Sequence, residues 1–229
     1  MTAQYRAVLS AQYRAVLSAQ WKWSRLIVVL GTVGAFAIPL LSLQGAARPE
    51  RGALQTPELL RAVQSWGSVY PLLAAALGLL IAIAAWAADH RGRHIHALTL
   101  PLPRWQYVAL RFGAGLTLLA APIAAVLIGA LLATALATLP PGLQAYPFAL
   151  TVRFALAVFV AYAVFFAVSA GTARTAGIIL GVIATVILVQ VVASIANIDL
   201  NLFGAAQTML LLGPGPLAVF TGRWMLVDV

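Results

Sequence analysis

The three histidines of the chain lie in one polar segment, residues 89–111, with the sequence DHRGRHIHALTLPLPRWQYVALR. His90 and His94 are four residues apart, and on a helix this spacing places two imidazoles on one face, where they could bind a divalent metal. The neighbouring Arg91 and Arg93 disfavour a cation there, because like charges repel. The segment is therefore interpreted mainly as an interfacial or partner-binding region, with a metal site as the lesser alternative.

Other chemically active patterns are sparse. A P-loop requires the motif GxxxxGK[ST], whose lysine reaches the terminal phosphates of a nucleotide. The only lysine of the chain is Lys22, and Trp23 follows it. The chain is therefore not expected to be an enzyme, and any dependence on ATP would come from a partner.

The acidic residues are few and lie away from the apolar runs. Proton-driven carriers usually keep an ionisable group near the middle of the membrane, so this distribution argues against one. The five acids, all in predicted loops or tails, are Glu50, Glu58, Asp89, Asp199 and Asp228. The chain has no cysteine, which excludes disulfides, thiolate metal sites and cysteine nucleophiles.

The elements that position the polar segment are strongly apolar. Hydrophobic residues make up 63% of the 229, charged residues only 8%, and the mean hydropathy is +0.99. This composition indicates a polytopic membrane protein rather than a soluble domain. The net charge of +9 comes from residues in short loops, so it is interpreted as a topology signal and not as a nucleic-acid-binding surface.

We predict an all-α fold, a polytopic membrane helix bundle with five clear transmembrane helices and a broken or re-entrant sixth segment. A helix crosses the bilayer core of about 30 Å with about 20 apolar residues. The five predicted spans are Leu26–Leu43, Val69–Ala88, Tyr107–Leu139, Phe148–Ala170 and Ala176–Ala196. In the tail, the run Gly213-Pro214-Gly215-Pro216 interrupts any continuous helix, because proline lacks a backbone donor and clashes with the preceding turn.

The N-terminal residues 1–25 contain a tandem repeat, AQYRAVLS at 3–10 and again at 11–18. Basic and serine side chains recur every four residues, which on a helix gives a polar stripe opposite an apolar one. Residues 1–25 are predicted to form an amphipathic helix in the cytoplasmic interface, followed by a single transmembrane domain over 26–229. The predicted membrane-interface anchors are Trp21, Lys22, Trp23 and Arg25.

The distribution of arginine and lysine predicts the topology. Residues 44–67 are predicted to be an extracytoplasmic loop, and Thr56-Pro57-Glu58 in this loop is a helix-start signal. Basic residues are more numerous on the side that holds the N-terminus: Arg6, Arg14, Lys22, Arg25, Arg91, Arg93, Arg104, Arg111 and Arg174. The other side receives Arg48, Arg51, Arg61 and Arg153. The positive-inside rule therefore predicts a cytoplasmic N-terminus.

The segment between the second and third predicted spans resembles the cytoplasmic loop of ABC-2 type transporter permeases. In that family the loop begins with a charged stretch that contains glycine, followed by a leucine-rich turn. Proline, a small residue and Arg come next. Tyr follows after two further residues, and a basic residue after three more. Here the pattern reads Leu98-Thr99-Leu100-Pro101-Leu102-Pro103-Arg104-Trp105-Gln106-Tyr107, followed by Arg111. The sequence departs from the family where Arg93 follows Gly92 in place of a Gly-Thr pair, and only Asp89 represents the usual acid.

The resemblance implies a permease subunit of an ATP-driven ABC exporter in the cell membrane. Two such subunits, identical or different, would pair, and each coupling loop, residues 89–106, would lie in a cleft of a cytoplasmic ATPase subunit. ATP and magnesium would bind that partner, and this chain itself would need no cofactor. The expected contact residues are Asp89, Arg91, Arg93, His94, Pro101, Pro103, Arg104 and Tyr107.

Two other classes of protein remain open. One is a non-transporting membrane scaffold or assembly protein that holds a cytoplasmic partner with the same loop. The other is an intramembrane enzyme that modifies lipids and uses the histidines as its polar site. Co-purification with an ATPase favours transport, whereas loss of function on His90→Ala or His94→Ala with the complex intact favours the enzyme.

Overall fold

The apolar runs of the sequence form long helices. The computed structural model describes residues 3–44, 56–91, 103–170, 173–195, 202–211, 215 and 217–228. The helices are α1 Ala3–Leu43, α2 Thr56–Ser65, α3 Val69–Arg91, α4 Arg104–Leu136, α5 Pro147–Ser169, α6 Ala173–Ile195 and α7 Leu202–Leu211. A 3-10 helix at Ala218–Phe220 and two short strands, β1 Gln144–Ala145 and β2 Val227–Asp228, complete the described elements.

Four helical stretches in the described ranges are long and apolar enough to cross a membrane. They are Val8–Leu43, Leu59–Ala87, Arg104–Leu136 and Pro147–Ser169. The prediction of a helical protein with several apolar spans is confirmed at this level. The fifth predicted span is helical as α6, and its described apolar stretch, Ala184–Ala193, is shorter than a full crossing.

The N-terminal repeat and the first predicted span form one helix. α1 runs for 41 residues through the boundary predicted at residues 25 and 26. No glycine or proline lies between residues 3 and 30, so the backbone has no reason to break there. Pro39 lies inside the helix without ending it, and the Ser42 hydroxyl donates to the Pro39 carbonyl at 2.8 Å.

Small residues let the first four long helices approach closely. The Gly31 position in α1 faces the end of the Leu77 side chain in α3, and the Gly129 position in α4 lies against the backbone of Phe36 in α1. In α3, a methyl group at Gly78 would lie 2.6 Å from the Ala161 Cβ of α5. Close approach of this kind supplies the van der Waals contact that holds membrane helices together in the absence of a hydrophobic driving force.

A cap of short elements closes the end of the bundle at which α3 begins. α2 starts at Thr56, as its Thr-Pro-Glu signal predicts, and buries Leu59 and Val63. Strand β2 pairs antiparallel with β1, with Gln144 opposite Asp228. The turn that precedes β1 contains Gly142, whose φ is +96°.

The C-terminal segment is fixed to this cap by Trp224. Its ring stacks on Tyr70 of α3, with a centroid distance of 6.3 Å and an interplanar angle of 8°. The Arg153 guanidinium lies 4.7 Å from the centre of the same Trp224 ring and donates to the carbonyl of Arg223.

The chain divides into two compact units, Met1–Phe166 with Arg223–Val229, and Ala167–Gly222. Within the second unit, α7 ends at Leu211, just before the Gly-Pro-Gly-Pro run. The Leu217 amide donates to the Leu210 carbonyl at 2.9 Å, and the Thr221 hydroxyl donates to the Leu211 carbonyl at 3.1 Å. These bonds satisfy carbonyls that a continued helix would have used, and the described helix accordingly ends at Leu211.

Candidate functional site

A buried arginine joins two helices near the start of α4. Arg111 lies two turns into α4 and is only 9% exposed. Its Nη1 donates to the carbonyl of Ala85 in α3. Its guanidinium lies 5.3 Å from the centre of the Trp86 ring and 4.8 Å from that of Tyr107. Both distances are in the range of cation–π interactions, which stabilise a desolvated cation.

The backbone at Arg111 is held from two further helices. Gln20 of α1 donates from Nε2 to the Arg111 carbonyl at 3.1 Å. The Tyr162 hydroxyl of α5 lies 3.4 Å from the same carbonyl and 3.3 Å from the carbonyl of Phe112. Gly115 gives that hydroxyl its space, because a side chain there would collide with Tyr162. We call Gln20, Trp86, Tyr107, Arg111 and Tyr162 the Arg111 clamp.

Aromatic rings surround the clamp on the side of α5. The Phe112 ring lies 5.1 Å from that of Tyr162 and 5.2 Å from that of Phe166. The Trp86 ring lies 5.1 Å from Phe166. Ring pairs in stacked, tilted and edge geometries each contribute about 0.5–1.5 kcal/mol beyond the area that they bury. The arrangement therefore fixes α3, α4 and α5 to one another at this end of the bundle.

An exposed edge precedes the clamp in sequence. Pro103 is extended, with ψ 137°, and its carbonyl accepts the Gln106 and Tyr107 amides, so that α4 begins at Arg104. Arg104 is exposed and Trp105 is 69% exposed. These two solvent-facing side chains are therefore about one helical turn from the buried Tyr107 and about two turns from the buried Arg111.

The predicted loop residues are only partly within the described structure. Asp89 and Arg91 belong to α3, Pro103 and Arg104 are exposed at the start of α4, and Tyr107 is buried. The remaining predicted residues, Arg93, His94 and Pro101, lie outside the described residues. The structure therefore brings Tyr107 into contact with Arg111 and leaves the other predicted loop contacts as predictions.

The predicted membrane anchors lie on exposed faces of α1. Trp21 and Trp23 are each 44% exposed, and Lys22 and Arg25 are exposed as well. On the opposite face, Gln20 and Ser24 are buried. The anchors thus lie at the level of the Arg111 clamp, because Gln20 is part of it.

Sequence reasoning missed most of the clamp. Arg111 was noticed as the basic residue that ends the loop pattern but was not assigned a role. The four-residue spacing of Tyr107 and Arg111 is a signal that could have found this pair, since it places both on one helix face. Gln20, Trp86 and Tyr162 carry no such signal, because they come from three other helices.

The described residues contain no group of three histidine, cysteine or acidic side chains that could hold a metal ion. Histidines 94 and 96 lie outside the described residues. The clamp itself is a cation held by aromatic rings and carbonyls, with no nucleophile beside a base. Its chemistry is that of a rigid ionic joint between helices.

Comparison with protein-family models, curated proteins and solved structures finds no match for the chain.

Proposed function

We propose that the chain is the permease subunit of an ATP-driven exporter of the ABC-2 type, moved by a partner ATPase that binds the loop at residues 89–106. The sequence pattern from Leu98 to Arg111 supports this proposal, as do the four apolar helices. The proposal includes a cytoplasmic N-terminus, α6 as a fifth span and the interrupted tail as a partial sixth. ATP and magnesium bind the partner, and two permease subunits form the transport path.

The observation that carries the proposal is the exposed edge built directly on the clamp. A partner that pushes on Arg104 and Trp105 acts on the first turn of α4. Because Arg111 bonds to the Ala85 carbonyl and packs on Trp86, that force passes to the end of α3 as well. A stiff joint of this kind transmits movement, whereas a flexible loop would absorb it.

The exposed edge that the partner would bind is positively charged. The edge presents the Arg104 guanidinium, and the sequence places Arg91 and Arg93 in the same segment. Arginine forms charge-assisted, often bidentate hydrogen bonds with carboxylates. An acidic cleft on the ATPase therefore fits this edge, and the attraction would also increase the rate of docking.

The first test is purification of the chain from its own membrane in mild detergent, with an assay for bound P-loop ATPase and for ATP hydrolysis. Reversing the exposed charge with Arg104→Glu is expected to remove the ATPase. The matched control is Arg61→Glu, an equally exposed helix arginine on α2. The control is expected to keep the ATPase.

Three other outcomes contradict the proposal. If no ATPase is bound, the coupling function is wrong. If a protein without a P-loop is bound and Arg104→Glu releases it, the scaffold is favoured. If His90→Ala abolishes the function of the protein in the cell while an ATPase stays bound, the lipid-modifying enzyme is favoured.

A further inference from the structure

A groove lies between α1 and α4 at the level of the membrane anchors. It has a volume of about 340 Å³. This is near the lower limit of ligand pockets, about 300–1,000 Å³, and suits part of a long molecule better than a whole one. The lining side chains are Arg14, Leu17, Ser18, Trp21, Thr117 and Leu118.

The walls of the groove are fixed. Tyr13 of α1 and Thr117 of α4 are hydrogen-bonded through their hydroxyls, and the Thr117 hydroxyl also donates to the Gly113 carbonyl at 3.0 Å. Leu118 is buried and forms the apolar floor. A hydrogen bond therefore joins the two helices beside the groove.

The mouth of the groove is basic. Arg14 is exposed at its edge and is the basic side chain among the lining residues. Neither α1 nor α4 contains a single aspartate or glutamate, so no carboxylate of these helices neutralises Arg14. The charge of the groove is complementary to an anion, while its floor is complementary to a hydrocarbon.

The depth of the groove matches the surface of a membrane. Trp21 lines it and is 44% exposed, as is Trp23 on the same helix. Tryptophan is enriched where lipid headgroups meet the hydrocarbon core. A molecule in the groove would thus place its polar end at headgroup level and its apolar end beside Leu118.

We infer that this groove binds an anionic phospholipid of the surrounding leaflet. The lipid phosphate pairs with Arg14, and the upper part of one acyl chain lies against Leu17, Trp21 and Leu118. A zwitterionic phospholipid offers the same phosphate, but its quaternary ammonium group is repelled by the basic mouth. The inference is independent of the proposed transport function, because it needs only α1, α4 and a bilayer.

The test is native mass spectrometry of the full chain released from detergent after titration with phosphatidylglycerol or phosphatidylcholine. The chain is expected to retain one phosphatidylglycerol in preference to phosphatidylcholine. Arg14→Gln is expected to weaken retention of phosphatidylglycerol about fivefold, the effect of one basic side chain at an anionic surface. Arg25→Gln removes the same charge from the same helix outside the groove and is expected to change retention less than twofold.

A second variant tests whether the lipid needs the open space of the groove. Ser18→Trp fills the space from an exposed position, so the fold should tolerate it, and it is expected to displace the bound lipid while Arg14 remains. If Arg14→Gln and Arg25→Gln reduce the retention of phosphatidylglycerol equally, the lipid is held by diffuse electrostatic attraction and the inference is overturned. Equal retention of the two lipids would also overturn it. A lipid-free dimer that Ser18→Trp dissociates would assign the groove to a second copy of the chain.

Discussion

At the scale of single residues, Arg111 is the most unusual side chain of the described structure. A charged group in an apolar helix is costly unless it finds partners, and such groups usually face the interior of a bundle. Arg111 follows this pattern, with the Ala85 carbonyl as acceptor and the rings of Trp86 and Tyr107 beside its guanidinium. Its burial therefore reflects a structural joint rather than a solvent-facing basic patch.

Replacing this joint should reduce the stability of the protein. Arg111→Gln keeps a polar group but removes the charge, the cation–π contacts and the reach to Ala85. We expect the free energy of unfolding to fall by about 2–3 kcal/mol, from a lost charged hydrogen bond and lost ring contacts. The measurement is the unfolding of the purified chain in mixed micelles by increasing fractions of denaturing detergent.

The control for this experiment is Arg104→Gln, seven residues earlier in α4. Arg104 is exposed, so the free energy of unfolding should change by less than about 0.5 kcal/mol. If the two variants unfold alike, the contacts of Arg111 contribute nothing beyond those of a surface arginine.

At the scale of helices, the contact between α3 and α5 depends on Gly78. An added methyl group there would lie 2.6 Å from the Ala161 Cβ and 2.7 Å from the Tyr162 amide nitrogen. Gly78→Ala should therefore lower the free energy of unfolding by about 1–3 kcal/mol, because the helices must separate to accommodate it. The same detergent titration measures this change.

Gly34 of α1 provides the opposite case. A methyl group there meets nothing within 4 Å. Gly34→Ala should be neutral or increase stability by up to about 1 kcal/mol, since alanine is the better helix former. Destabilisation by both substitutions to the same extent would mean that helix packing at Gly78 is not the cause.

The eight-residue period of the repeat in α1 is not a whole number of helical turns. Eight residues rotate a helix by about 800°, so equivalent side chains in successive copies differ by about 80° around the axis. Tyr13 of the second copy bonds to Thr117 of α4. In an ideal helix this offset puts equivalent positions of the two copies on different parts of the helix surface.

Local sequence signals predicted the helices well and their contacts poorly. α2 begins at Thr56 and α3 at Val69, as capping and hydropathy predicted, because these features depend on neighbours in sequence. α1 continues through residues 25 and 26, since the change from amphipathic to apolar composition there alters the environment of a helix without breaking its hydrogen bonds.

The clamp shows why the site was harder to predict than the fold. Arg111 meets Ala85, Gln20 and Tyr162 across separations of 26, 91 and 51 residues. Such contacts depend on how helices pack, and periodicity does not specify packing. The loop pattern indicates Arg104 because that signal is contained in a few adjacent residues, and its contact with a partner stays a prediction.

At the scale of the whole molecule, aromatic and basic groups mark the two ends of α3. Tyr70, stacked on Trp224, lies near its start, and Trp86, beside Arg111, lies near its end. Sixteen residues of helix separate Tyr70 from Trp86, about 24 Å at 1.5 Å per residue. This separation is close to the thickness of a bilayer core, about 30 Å, so the two ends suit opposite membrane surfaces.

The absence of cysteine from the chain makes this orientation directly measurable. Arg104 and Gln144 are exposed and flank α4, so a cysteine at either position reports one side of the membrane. With a membrane-impermeant maleimide, Gln144→Cys should be labelled in intact cells, and Arg104→Cys only after permeabilisation. The reason is the excess of basic residues at the Arg104 end, which the positive-inside rule assigns to the cytoplasm.

The unsubstituted chain is the control and should take up no label. Labelling of both cysteines in intact cells would mean that α4 does not cross the membrane. Labelling of Arg104→Cys alone would mean that α4 crosses in the opposite direction. In that case the edge at Arg104 would face away from the cytoplasm, and no cytoplasmic ATPase could reach it. The proposed coupling function would then be excluded. The phospholipid groove would lie with α1 in the outer leaflet.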